Sequence, residues 1–331
     1  MRILQSMEMN FTCLPIVSLN GKEPIFVGVF FLTTIVSMTT LFTSTYGQDE
    51  RTTTIGSPGS GPGQFNDPAG IIIDPNGYLF VVDSHNNRIQ KFTNNGTFVS
   101  QWGSSGSDPG KFNNPIGITI DYTDGHVYVT DTGNSRIQKF TNNGTFVSQW
   151  GQRGSGPGQL SSPIGIDEDE SKKNVYVTDL GNNRVQRFTN NGLFVSTWGS
   201  LGAGPSQFNN PGRIAVDPSG NLFVADLGNH RIQKFSPDGN LSVTWGSPGS
   251  GPGQFQFPTG MTVQYPSGNV FVADTGNSRV QEFDNAGKFI REIPMGIRSD
   301  STDNIDLDVD SNGKIYLTDR GDDQVILLSP P

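Results

Sequence analysis

The sequence predicts an all-β fold, a six-bladed β-propeller with four antiparallel strands per blade and the last blade closed by an N-terminal strand. Three observations predict it. The 331 residues include 42 Gly and 21 Pro, well above the roughly 12% usual for the pair, which marks a chain rich in turns. The string Asp-x-x-x-x-Arg-(Ile/Val)-Gln-x-Phe returns with its Asp at 83, 131, 179, 226 and 274, and a degenerate copy starts at Asp319. Finally, residues 56–68, GSPGSGPGQFNDP, nearly recur at 246–258 as GSPGSGPGQFQFP. Other classes are excluded by composition. Ala, Glu, Lys, Leu and Arg are too few for a coiled coil, and Gly lacks the period of three that collagen needs. The 22 Phe, 7 Tyr and 4 Trp supply the aromatic area of a packed core, which a disordered chain lacks.

Taken in order, residues 1–47 are an N-terminal segment. Ile25–Phe42 read IFVGVFFLTTIVSMTTLF, with Arg2 and Lys22 ahead of them. A basic flank, an apolar run and small residues at Thr45 and Gly47 describe a secretory signal peptide cut before Gln48. An uncleaved signal anchor is the rival, because the run has the ~17–25 residues of a spanning helix. The long stretch before it favours an anchor or a later start at Met7 or Met9. Either reading makes residues 48–331 extracytoplasmic, secreted or held at the outer face of the cell membrane. Membrane contact is then expected only through the uncleaved segment. The net charge of −9 repels phosphate backbones and argues against nucleic acid. The one cysteine, Cys13, falls in the N-terminal segment, so no intramolecular disulfide or cysteine metal site is available.

Residues 48–331 form the propeller domain. In the first copy the four strands read Gly70–Asp74, Tyr78–Asp83, Arg88–Thr93 and Thr97–Trp102. β-Branched and aromatic residues fill them. Pro-Asn-Gly, Ser-His-Asn-Asn and Asn-Asn-Gly separate them, all sequences that tolerate positive φ. Four strands in a period in the forties are a propeller blade. The Gly- and Pro-rich stretch at 103–115 carries the chain from one outer strand to the next inner one. The final copy, Ile305–Leu328, has only three strands. Thr52–Ile55 stands where an outer strand ends, so it supplies the fourth and leaves no open edge.

These strings resemble NHL repeats, and residues 52–329 resemble a six-bladed NHL-type propeller. The resemblance implies the fold more than the function, since such propellers serve as peptide-amidating lyases, RNA-binding modules and extracellular sensor domains. The RNA-binding relatives use a basic face and carry cysteine-rich domains, and neither is present in this acidic chain.

Residues repeated in nearly every blade read as architecture. The Asp accepts backbone N–H groups at the turn, and the Arg offers its fork to that Asp. Trp102, Trp150, Trp198 and Trp245 fill the gaps between sheets, against the alternative of a glycan-stacking row. Gly-Pro-Gly-Gln-Phe is no phosphate cradle, because no Lys-Ser/Thr follows and no helix begins there.

Function is expected where the copies differ. Along the six inner strands one position reads Gly70, Gly117, Gly165, Arg213, Gly260, Asp306. Two residues on, it reads Ile72, Thr119, Asp167, Ala215, Thr262, Asp308. A period of two puts both on one side of the strand. Asp167, Arg213, Asp306 and Asp308 are therefore the candidate ligand-binding residues of an axial funnel, weighed against simple internal pairing. The amidating-lyase relatives imply a histidine-bound zinc, which wants three protein ligands. His85 and His230 fall in second-to-third-strand turns of opposite blades, and His126 in a turn on the other face, so the three cannot share one metal. A lactonase-like site is the remaining enzyme alternative, with Asp167, Asp306 and Asp308 holding a divalent cation. No catalytic residue and no cofactor are assigned beyond that. Asn95, Asn143 and Asn240 fit the glycosylation sequon at third-to-fourth-strand turns, although Asn-Gly is also a good hairpin turn by itself.

The expected function is an exported, monomeric binding or scaffolding module for a protein, peptide or glycan. The alternative is a metal-dependent hydrolase or lyase centred on the funnel.

Overall fold

The computed structural model describes residues 52–169, 171–296 and 305–329. The signal-peptide or anchor segment lies outside them. Among the described residues no helix is long and apolar enough to cross a membrane.

Six four-stranded antiparallel sheets make up the domain. Their inner strands are Pro68–Ile73, Pro115–Ile120, Pro163–Asp169, Pro211–Val216, Pro258–Val263 and Leu307–Val309. Blades 1 to 5 are each built from consecutive strands. Blade 6 is completed by Thr52–Ile55, which pairs antiparallel with Gln324–Leu328, Thr53 lying opposite Leu327. The predicted seam is therefore present, and it pairs the edge of the last blade.

In blade 1 the inner strand begins at Pro68, two residues before the sequence expectation. Proline fits there because a first strand position needs no ladder N–H. The register then shifts between Pro68 and Ile71, and the other four Pro-led inner strands shift at the same place. The bulge lies at the glycine position of the inner strand, where neighbouring strands come close. A Cβ on Gly117 would lie 2.1 Å from the Ile164 carbonyl oxygen, and one on Gly70 2.4 Å from that of Ile116. Adjacent inner strands thus pack backbone against backbone around the axis. Gly117→Ala should cost about 1–3 kcal/mol, the usual penalty of overpacking, and a lowered urea midpoint would show it.

The core lies between blades. Phe65, Phe112, Leu160, Phe208 and Phe255 of the crossovers are fully buried. Trp102 meets Phe80 of its own blade edge-on at 6.1 Å and Phe140 of the next blade at the same distance. Trp150, Trp198 and Trp245 repeat the pattern. The turn glycine of the next blade seats on the ring, as Gly144 does on Trp102. The four Trp are thus wedges between sheets, as expected.

Candidate functional site

The repeated Asp and Arg build one face of the domain. Asp83 Oδ1 accepts the Asn66 N–H at 2.8 Å, and its Oδ2 accepts Arg88 Nε at 2.6 Å. The rest of the guanidinium turns away from the carboxylate. It donates to the carbonyls of Ser60, Gly61 and Gln64 in the incoming crossover at 2.7–2.8 Å. The expected Asp–Arg fork is therefore a single contact, because Asp83 already serves Asn66, Asn86 and Gln90. The same corner recurs at Arg136, Arg184, Arg231 and Arg279. It ties each second-to-third-strand turn to a crossover, so both loop sets share one loop-rich face.

The four off-pattern charges do converge. Asp167, Arg213, Asp306 and Asp308 line one axial cavity of about 30 Å³, room for a water or two. Arg213, from blade 4, reaches across the axis. Its Nε lies 3.1 Å from Asp306 Oδ1 of blade 6, and its Nη2 donates to the Ala69 carbonyl of blade 1 at 2.8 Å. Burial pulls the Arg213 guanidinium down and pushes Asp306 up, each opposed by the other's charge. Asp167 and Asp308 occupy the same position in opposite blades and make matching bonds. Asp167 accepts Thr119 Oγ1 of blade 2 at 2.7 Å and the Val216 N–H of blade 4 at 2.8 Å. Asp308 accepts Thr262 Oγ1 of blade 5 and the Ile73 N–H of blade 1, both at 2.8 Å. Burial still pushes Asp308 up to about 7. Each of these two acids staples its blade to both neighbours, a two-fold device inside a six-fold ring.

The histidines stay apart. His85 Nε2 lies 3.2 Å from Asp67, His126 Nδ1 2.6 Å from Asp124, and His230 Nδ1 accepts the Phe257 N–H. Among the described residues no three His, Cys, Asp or Glu side chains gather in a metal-ligand set.

Two features of the loop-rich face escaped the sequence reading. Before each inner-strand proline sits a residue with positive φ: Asp67, Asn114, Ser162, Asn210 and Phe257. Phe257 is the bulky one, at φ 55° and 52% exposed, with its ring 5.1 Å from that of His230. The signal was Gln-Phe-Pro where other copies read Asn-Asp-Pro, Asn-Asn-Pro or Ser-Ser-Pro. At the closing seam, Arg320 pairs with Asp67, which also meets His85. Asn95, Asn143 and Asn240 are exposed in turns on the opposite face.

The comparisons with known proteins follow this geometry. The family model described as NHL repeat matches residues 65–92, 112–140, 208–235 and 255–283, which fall in blades 1, 2, 4 and 5. No curated protein matches the chain at a significant level. Among solved structures, virginiamycin B lyase from Staphylococcus aureus is similar with a TM-score of 0.60 at 16% identity. That match covers 85% of this chain and 99% of the lyase. A Bacteroides thetaiotaomicron protein of unknown function gives 0.62 at 18% identity, covering 84% of this chain and 75% of that one. A chain of a nidogen–laminin complex gives 0.54 at 19%, covering 69% and 80%. At these identities the likeness is one of fold, and it spans an enzyme and a binding protein alike. The described domain is therefore a six-bladed β-propeller that carries NHL repeats in four of its blades.

Proposed function

We propose that this propeller is an exported binding module, recognising a peptide, protein or glycan partner on its loop-rich face with Phe257 as an anchor. The observation that carries this reading is Phe257 itself. A bulky residue held at positive φ is strained, and here it stands half in solvent where four other blades use small polar residues. Exposed aromatic anchors are what protein interfaces favour. The internal staples of the axial quartet support the same reading, since they commit those side chains to the ring. Glycans at Asn95, Asn143 and Asn240, if attached, would leave this face clear.

The test is a selection of phage-displayed peptides and a glycan array on the purified protein. Phe257→Asn should weaken the selected ligand at least tenfold. It should leave stability unchanged or raise it by about 0.5–1 kcal/mol, the signature of strain kept for binding. Undiminished binding by Phe257→Asn would remove the anchor.

A second reading keeps the funnel as the site, because Asp167, Arg213, Asp306 and Asp308 do meet at one cavity. A polar ligand or divalent cation held there would support a hydrolase or lyase. Stoichiometric Zn or Ca in the purified protein, lost in Asp308→Asn, would favour it over the binding module.

A further inference from the structure

Apart from the four Trp indoles, every buried side-chain nitrogen or oxygen without a hydrogen bond among the described residues lies in blades 2 and 3. Glu168 is the centre of this concentration. It stands on the inner strand of blade 3 where the other blades carry Ile73, Ile120, Val216, Val263 and Val309. It is 6% exposed, and no donor reaches either of its oxygens.

Its surroundings can be followed element by element. Asp121 directly follows the inner strand of blade 2, and its carboxylate is fully buried. Lys173, from the first turn of blade 3, donates to both Asp121 oxygens at 3.1 and 3.2 Å, and Thr123 donates to one of them through its hydroxyl and N–H. The Asp124 N–H donates to the same oxygen at 3.4 Å, and the carboxyl of Glu168 is the partner that remains. Tyr128, from the second strand of blade 2, places a buried hydroxyl near the pair. Asp124 and His126 pair with each other in the turn before it. Asp167, on the same strand as Glu168, bonds to Thr119 and Val216. On the other side of blade 3, Asp169 lies toward Gly220, and Arg187 donates to the Pro237 carbonyl of blade 4.

Two buried carboxyls in contact cannot both ionise cheaply. The nearest cation is the Lys173 ammonium, on a side chain 40% exposed and already spent on Asp121 and Thr123. Among the described residues no third carboxylate or histidine completes a metal set. One hydrogen fills the gap. A Glu168 O–H satisfies its own donor capacity and gives Asp121 its last bond.

We propose that a single proton, carried on Glu168 and donated to Asp121, joins blades 2 and 3, and that this seam loosens as the medium turns alkaline. Burial, reinforced by the Asp121 charge, pushes Glu168 up to about 9. Asp121 goes the other way. Burial opposes its ionisation, but the donors of Thr123, Lys173 and Glu168 hold it below the usual carboxylate range. The folded chain therefore keeps a proton that the unfolded chain releases near 4.5. The contribution is full below that pH. It falls by up to tenfold in the folding equilibrium per pH unit above it, and levels off beyond about 9.

The experiment is urea unfolding of the protein from pH 5 to 10, comparing wild type, Glu168→Gln and Glu168→Val. The amide keeps a donor toward Asp121, and valine is the residue of blades 4, 5 and 6. Between pH 6 and 9 the wild type should lose at least a hundredfold in folding constant relative to both variants. In the infrared difference between wild type and each variant at pH 8, above the value of about 7 for Asp308 and below that of about 9 for Glu168, a neutral-carboxyl band should belong to the wild type alone. Parallel pH profiles, or no such band, would overturn the proposal. So would a calcium chloride stabilisation at pH 8 seen in wild type and lost in Glu168→Gln, since the occupant would then be a cation. If Glu168→Gln fails to fold, the Glu168→Val comparison still decides the outcome.

Discussion

Arg213→Met should lower stability by about 3–5 kcal/mol at neutral pH, the loss expected when one member of a buried ion pair is removed. The substitution keeps the length of the side chain and deletes its charge and donors. Asp306 would remain buried with the Ile71 N–H, at 3.2 Å, as its one partner from another blade. The Ala69 carbonyl would lose the donor that Arg213 brings across the axis. Because the axial cavity is only about 30 Å³, little water can enter to repair either loss. Arg213→Met with Asp306→Asn should recover most of the deficit, since a neutral pair carries no stranded charge. The pH dependence has a definite sign. Without Arg213, the Asp306 carboxyl is pushed up by burial alone, so the folded variant takes up a proton above the ordinary Asp range. The deficit should therefore shrink at pH 5 and widen at pH 7.5. Urea unfolding of the single and double variants at both pH values checks this. A loss below about 1 kcal/mol at neutral pH would mean that the pair is solvated and that the axis is open.

What could be read from the sequence follows from how often each feature is written. The Asp–Arg corners, the Trp wedges and the closing strand Thr52–Ile55 are legible because each copy confirms the others. The funnel quartet was legible as a deviation from the copies, and its convergence follows from a period of two. Its bonds were not legible. Val216 and Ile73 are donors by virtue of main-chain N–H groups, and only the bulged register brings them to Asp167 and Asp308. The Arg–Asp pairing was legible, but the carbonyls that take the other guanidinium donors were not, since crossover carbonyls carry no side-chain signature. Glu168 was passed over because the comparison followed the axis-facing residues. It is the neighbour of Asp167, and its side chain points between blades. Phe257 hid in a variable slot of the crossover string. Blade 3 also shows where a repeat weakens. Leu160 replaces the crossover Phe, and the sequence there carries the charged run Asp-Glu-Asp-Glu-Ser-Lys-Lys at 167–173, in a blade the family model leaves unmatched.

Asp131→Ala should cost about 3–5 kcal/mol, and Asp319→Ala in blade 6 only about 1–2 kcal/mol. The two positions are equivalent in the repeat but differ in what they neutralise. Asp131 Oδ2 takes Arg136 Nε at 2.7 Å, together with Asn134 and Gln138, while Oδ1 takes the Asn113 N–H at 2.8 Å. Both side chains are buried. Alanine would leave the Arg136 guanidinium with carbonyls and Gln149 as acceptors but no counter-charge, which is the costly half of a broken buried pair. In blade 6 the arginine is replaced by Gln324, whose amide donates to Asp319 at 3.0 Å. Removing Asp319 strands only neutral donors, each worth about 1–3 kcal/mol if left fully unsatisfied and less where solvent reaches them. Asp131→Asn should fall between the two, because it keeps acceptor capacity and loses the charge. Thermal or urea unfolding of the three variants ranks them directly. If Asp131→Ala costs no more than Asp319→Ala, the corner is held by hydrogen bonds to the loops, and the arginine that accompanies it in five blades contributes reach rather than charge.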